Sequence, residues 1–224
     1  MKKFLFLSDT QWGIILLVTL IFTIFILPVM PLTWQEQSSM IVYTILYFSA
    51  IFSMEKKVKS ILVLSIIAFC MNWLAGIFSI WILTSVSKLL SVIFFLIIII
   101  MLIRQVATAP QVNLKVILGS VMGYLLMGLV YSIFVAYIMD QDPSSFNIPQ
   151  SYDETSTAIV HLDESVYFSF VSLATLGYGD ILPLKPYTRS FAIWITVSGQ
   201  LYIAIIVALL VGKFASLNIP AKPK

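Results

Sequence analysis

Thr175-Leu176-Gly177-Tyr178-Gly179-Asp180 is the stretch on which the reading of this chain turns. Its two glycines stand two residues apart, and glycine takes left-handed backbone angles without the steric cost that a side chain brings. A loop built this way can point consecutive carbonyl groups at one axis. The stretch is preceded by a short amphipathic segment, Asp163 to Ala174, and followed by a long apolar one, Ser190 to Val211. A Gly-Tyr-Gly tripeptide alone reads as an ordinary turn. Six residues set between two such segments make a pattern.

The surrounding chain has the composition of a membrane protein. Of 224 residues, 60% are hydrophobic and 10% charged, with a mean hydropathy of +1.03, unlike a soluble core. A spanning helix needs about 20 apolar residues. Such runs predict helices over Trp12–Met30, Ser38–Met54, Ile61–Leu83, Leu89–Ile103, Val116–Met139 and Ser190–Val211. The second and fourth reach full length only with flanking Ser and Thr.

Charge placement orients the spans. With both termini cytoplasmic, ten of the thirteen basic residues lie inside: Lys2, Lys3, Lys56, Lys57, Lys59, Arg104, Lys115, Lys213, Lys222 and Lys224. Eight of the ten acids lie outside, all but Asp9 and Glu55, and basic residues beside spans favour the cytoplasm. The outer acids, Asp140, Asp142, Asp153, Glu154, Asp163, Glu164 and Asp180 among them, would concentrate cations if several chains met there. Taken singly, the loop acids read as a solvated turret. The Met-Lys-Lys start mimics a signal peptide, but the apolar run reaches Met30 with no small-residue cleavage site, so an uncleaved first helix is expected. Cys70 is the single cysteine and lies in the third span, where no intrachain disulfide can form. One His, one Cys and no clustered acids within the spans leave no catalytic constellation. The expectation is a non-enzyme without cofactor or nucleic-acid partner.

The Thr175–Asp180 stretch and its setting resemble the selectivity filter of tetrameric potassium channels, whose TVGYG signature carries Val where this chain has Leu176. The resemblance implies that carbonyls of Thr175, Leu176, Gly177 and Tyr178 take the place of the hydration shell of K+. Gly179 completes the filter, the Thr175 hydroxyl adds the innermost ligand, and Tyr178 points away to brace the loop. It implies an all-α membrane protein with six transmembrane helices, a re-entrant pore helix and a filter loop. One chain carries one filter and a closed ring takes four, so a homotetramer is implied, with K+ as the permeating ion and lipid as surroundings. The location implied is the plasma membrane (the cell inner membrane in a bacterium), multi-pass.

The resemblance in motif covers about Val116 to Phe214; upstream it is one of helix count and topology. Residues 1–104 are then a four-helix, voltage-sensor-like domain, 105–115 a cytoplasmic linker, 116–214 the pore domain and 215–224 a short tail. Voltage-gated relatives carry Arg or Lys at every third position of the fourth helix. Here the only charges are Lys88 and Arg104, one at each end of the predicted helix, where both can snorkel. Little or no voltage dependence is expected.

Aligned on the filter, Tyr167 and Phe168 replace a Trp pair found in many relatives. The Tyr167 phenol can hydrogen-bond Asp180, whereas Phe168 can brace only by packing; Ser172 is placed to hold the Tyr178 hydroxyl. Val171 stands where some bacterial relatives have a Glu. Asp163 is expected as N-cap of the pore helix, with Leu162 and Tyr167 as a hydrophobic staple. The helix C-terminus near Ala174 would aim its negative end at the ion path. His161 either responds to external pH or is a solvated loop residue. Gly199, twenty residues after Gly179, sits at the family's gating hinge, where glycine serves bending or close packing equally well. Ile203 and Val207 are expected to line a cavity and Val211 an apolar inner gate. Gly119 and Gly123 have small-xxx-small spacing. With residues 215–224 as a short tail, opening is expected to come from the filter, the lipid, a partner or a leaky gate. The alternatives are a non-selective monovalent cation channel, a secondary transporter, for which internal repeats and midplane charges are lacking, and a non-conducting regulatory subunit.

Overall fold

The structure, a computed structural model, describes residues 9–53, 59–78, 81–148 and 160–217. Among the described residues seven α-helices carry the fold: α1 (Asp9–Ile21), α2 (Leu32–Phe52), α3 (Lys59–Phe78), α4 (Trp81–Thr108), α5 (Leu114–Gln141), α6 (Val160–Leu173) and α7 (Pro186–Leu217). Two short strands, β1 (Phe146–Asn147) and β2 (Leu182–Pro183), pair antiparallel. Among the described residues, five helical stretches are long and apolar enough to cross a membrane: Thr10–Val29, Ile61–Phe78, Ile82–Thr108, Leu114–Gln141 and Pro186–Ala215. The apolar part of α2, Ser38–Phe52, is shorter, because Gln35, Glu36 and Gln37 occupy its first turns. The protein is a multi-pass, mostly helical membrane protein.

Local chemistry explains where the helices begin and end. After Ile21 the first helix widens into a π-helical turn, Phe22–Ile26, and tightens to a 3-10 turn, Leu27–Val29. Pro28 lacks an N–H and its ring crowds the carbonyl four residues back, so a regular α-helix cannot run through it. Pro110 stops α4 at Thr108 by disfavouring helical angles in the residue before it. The non-helical linker is therefore 109–113, shorter than the predicted 105–115. Asn113 then caps α5, its side chain accepting from the Val116 N–H at 3.0 Å. Pro186 opens α7 at its first position. Behind it the Thr188 hydroxyl accepts from Lys185 N–H at 3.1 Å, so α7 starts four residues before the predicted Ser190.

The boundary between the third and fourth helices needs correction. α3 ends at Phe78 and α4 is under way by Trp81, so Trp81–Leu83 belong to the fourth helix and Leu89 is well inside it. The polar run Thr84, Ser85, Ser87, Lys88 resembles a break by hydropathy. The fold instead gives two of those side chains partners: Ser87 donates to Asn72 Oδ1 at 3.4 Å and Lys88 pairs with Asp140 at the end of α5, while one turn on Ser91 donates to the Ser87 carbonyl at 2.8 Å. Lys88 thus sits about two turns inside α4, not at its end, and is held in an ion pair.

α5 is the central helix, packed by α4, α6, α1 and α7. Of its spanning part 61% is buried, against 22% for α7. One core joins α1, α2, α4 and α5 around Leu20, Leu46, Tyr47, Phe94, Phe95, Ile98 and Leu126. A second surrounds α6 with Tyr131, Val135, Met139, Phe146, Phe168, Leu173, Ile181 and Ile195. Gly128 lets α6 approach α5: a Cβ there would lie 2.3 Å from Phe170 Cζ.

Candidate functional site: the loop after α6

The site is built on the end of α6. Leu176 N–H donates to the Val171 carbonyl at 2.9 Å and Thr175 N–H to the Ser172 carbonyl at 3.0 Å. That pair of bonds is a Schellman close, and it requires left-handed backbone at Thr175, where φ is +61°. The position normally takes glycine. A β-branched residue there costs about 1–2 kcal/mol, and strain of that kind is retained where a side chain has work to do. The Thr175 hydroxyl stays at the loop, donating to the Ala174 carbonyl at 2.6 Å.

From Thr175 the left-handed angles recur at every second residue: φ is +61° at Thr175, +57° at Gly177 and +80° at Gly179. Alternation of this kind turns consecutive peptide planes to one side. Every residue from Ala174 to Asp180 is exposed on the chain, with Leu176 at 55% and Tyr178 at 67%. The loop thus lies uncovered on a buried scaffold.

That scaffold is α6, α7 and the short sheet. Thr196 on α7 donates to the Ser172 carbonyl at 3.1 Å. Gly199 lies against the last turn of α6: a Cβ there would stand 2.5 Å from the Leu173 carbonyl oxygen. α7 runs through Gly199 as a continuous helix, so in this structure the glycine serves close approach. Tyr131 bridges α5 to Ser198 at 2.7 Å, and Tyr202 donates to the Ser120 carbonyl at 2.7 Å across Gly123. Gly119 faces α4, in ordinary contact with Val106.

Beyond the loop, the Tyr167 hydroxyl donates to Asp180, and Asp180 Oδ1 accepts the Ile181 N–H at 3.0 Å. The phenol is pushed up to about 12 by this bond, and the carboxyl is held below its usual range by the same bond first. Phe168 is buried and meets Phe146 edge-on at 5.0 Å, bracing by packing. Among the described residues, the hydroxyls of Ser172 and Tyr178 share no hydrogen bond. If the loop is the ion path that its sequence resemblance implies, Tyr167→Phe lowers steady ion flux ~3-fold or more by freeing Asp180, since hydrogen bonds to charged groups are the stronger ones. The check is a cycle with Asp180→Asn, in which the double variant should be no worse than either single one.

Asp163 is not the N-cap. α6 begins at Val160, which puts Asp163 in the first turn, where a carboxylate still complements the helix dipole. Its Oδ2 accepts from Gln35 Nε2 at 3.3 Å, a bond from the start of α2 that sequence reading missed. The same amide donates to the carbonyls of Pro28 and Met30 at 3.2 and 2.9 Å, tying the α1–α2 turn to α6. The side chains of His161 and Leu162, and Asp153 and Glu154, lie outside the described residues.

Burial raises the Asp163 carboxyl above its ordinary range, while hydrogen bonds from Ser144 and Tyr187 lower Asp142. Asp163 should therefore protonate first on acidification, before Asp142 and Asp180. The signs are opposite: the contribution of Asp163 to stability is present at low pH and lost as pH rises through its raised pKa. Those of Asp142 and Asp180 are present at neutral pH and lost as pH falls through their lowered values. Infrared titration of the carboxyl stretch, compared among wild type, Asp163→Asn, Asp142→Asn and Asp180→Asn, checks the order.

Ile203, Val207 and Val211 form one exposed stripe of α7, while Tyr202, Ile206 and Leu210 form the stripe packed on α4 and α5. A cavity of about 270 Å³ between α5 and α7 is lined by Ser120, Val121, Tyr124, Tyr202, Ile203, Ile206 and Val207.

No curated protein and no solved structure matches the chain. Residues 121–216, which take in most of α5, all of α6, the Thr175–Asp180 loop and nearly all of α7, match the family model described as ion channel, so the similarity takes in the whole of the candidate site.

Proposed function

We propose that four copies of this chain assemble into a potassium-selective pore that conducts K+ passively across the plasma membrane, or the inner membrane of a bacterium. The observation that carries the reading is the left-handed backbone at Thr175, Gly177 and Gly179. It lets the carbonyls of Thr175, Leu176, Gly177 and Tyr178 face one line, and four such loops can complete the oxygen shell of a dehydrated cation. The exposed loop and the thinly covered α7 are surfaces that neighbouring copies would bury. The C-terminus of α6 adds its partial negative charge behind the loop.

In this assembly α5, α6, the loop and α7 are outer helix, pore helix, filter and inner helix, with Ile203 and Val207 on the cavity and Val211 at the gate. α1 to α4 form a peripheral domain; all six long helices, α2 included, cross the membrane, and both termini are cytoplasmic. Voltage dependence is weak, because Lys88 is neutralised by Asp140 and Arg104 stands in the last turns of α4. The reading assigns no catalysis and no cofactor.

Leu176 at the signature's Val position, and a Tyr178 hydroxyl that Ser172 does not hold, favour a second reading, a non-selective monovalent cation channel. Flux from liposomes containing the purified protein separates the two. Selective K+ flux blocked by barium supports the first, equal Na+ flux the second, and no flux of either ion from assembled tetramers overturns both.

A further inference from the structure

The ammonium of Lys213, two residues beyond Val211, donates to three carbonyls at the end of α4: Val106 at 2.5 Å, Ala107 at 2.9 Å and Ala109 at 2.6 Å. The fit follows from the chemistry of both groups. The last carbonyls of a helix lack intrahelical partners and carry the negative end of its dipole, and an ammonium has three donors and no acceptor. Above it, Leu210, Ile206 and Tyr202 continue the same stripe of α7 against Val106 and Val116. The linker between α4 and α5 is only 109–113 and non-helical, so it supplies no helix of its own to press on α7. Lys213 makes a direct polar tie between the peripheral domain and the end of α7 that carries the gate.

We propose that Lys213 is a positioning residue for the inner gate, a latch that fastens the cytoplasmic end of α7 to the C-terminus of α4. The proposal rests on the tetrameric channel reading. In a tetramer α4 lies outside the ring of α7 helices, so fastening α7 to it opposes convergence of the four Val211 side chains on the axis. The latch favours the open pore, and it gives the peripheral domain a hold on the gate that needs no voltage-sensing charges.

The test compares wild type, Lys213→Met and Lys213→Arg as purified tetramers in liposomes, measuring K+ flux and reversal potential in mixed K+ and Na+. Methionine keeps the apolar stem and removes the donors; arginine restores donors. Expected is a fall in K+ flux of ~5-fold or more in Lys213→Met, the scale of a typical coupling between sites. Reversal potential should be unchanged, with most of the flux regained in Lys213→Arg. Flux in Lys213→Met equal to or above wild type overturns the latch, and so does a shifted reversal potential, which would mean that the filter was disturbed. Absence of flux in wild type as well overturns the channel reading beneath it, so the two failures are distinguishable.

Discussion

On the proposed reading of a tetrameric K+ pore, Gly177→Ala should abolish K+ flux, by ~100-fold or more, while leaving the assembly intact. Gly177 holds φ +57° and has open space where a Cβ would go, so the penalty is conformational. Left-handed backbone costs an L-residue about 1–2 kcal/mol, or about 4–8 kcal/mol over four loops, and each 1.4 kcal/mol is roughly tenfold in an equilibrium. A loop that relaxes to negative φ turns its peptide plane and takes one carbonyl ring away from the ion. Little global stability is lost, because the loop contributes no packing of its own. Size-exclusion chromatography and liposome flux together check both halves. Wild-type flux from Gly177→Ala would mean that the ion path does not run along these carbonyls.

Gly199→Ala should lower the apparent melting temperature in detergent by roughly 2–10 °C and reduce flux with it. The new methyl would stand 2.5 Å from the Leu173 carbonyl oxygen and 2.8 Å from Leu173 Cδ1. A side-chain tip could swing away, but a backbone oxygen at the end of α6 cannot. Overpacking of this kind costs about 1–3 kcal/mol, and its relief would push the last turn of α6, and the loop that hangs from it, out of place. Gly212, in the same helix with nothing near its missing Cβ, is the internal control; alanine there should be neutral or mildly stabilising. A pure hinge role for Gly199 predicts the contrary result, altered opening with an unchanged melting temperature.

The two glycines show why parts of the site were legible and others were not. Gly177 and Gly179 were readable because an unusual backbone angle selects an unusual residue, and that selection is written locally. Thr175 broke the correspondence: its left-handed angle is imposed by the Schellman close of α6, and threonine gives no such signal. Gly199 was ambiguous because a missing side chain reports that room is needed without saying for what, and the answer lay 26 residues away at Leu173. The Tyr167–Asp180 bond was anticipated as a replacement for a tryptophan contact. The ties from Gln35 to Asp163 and from Lys213 to α4 were missed, since a polar side chain satisfied by distant partners leaves no periodic trace.

Composition, apolar run length and charge bias were enough to make this a helical, multi-pass membrane protein with a short helix and a glycine-alternating loop before its final helix, because each is a property of neighbouring residues. Which helix stands at the centre, that α3 gives way to α4 before Trp81, that Lys88 is paired with Asp140, and that α7 is clasped at Gly199 and Lys213, all depend on contacts between residues far apart in the chain. Hydropathy measures how much a residue avoids water, and it does not record what the residue meets instead.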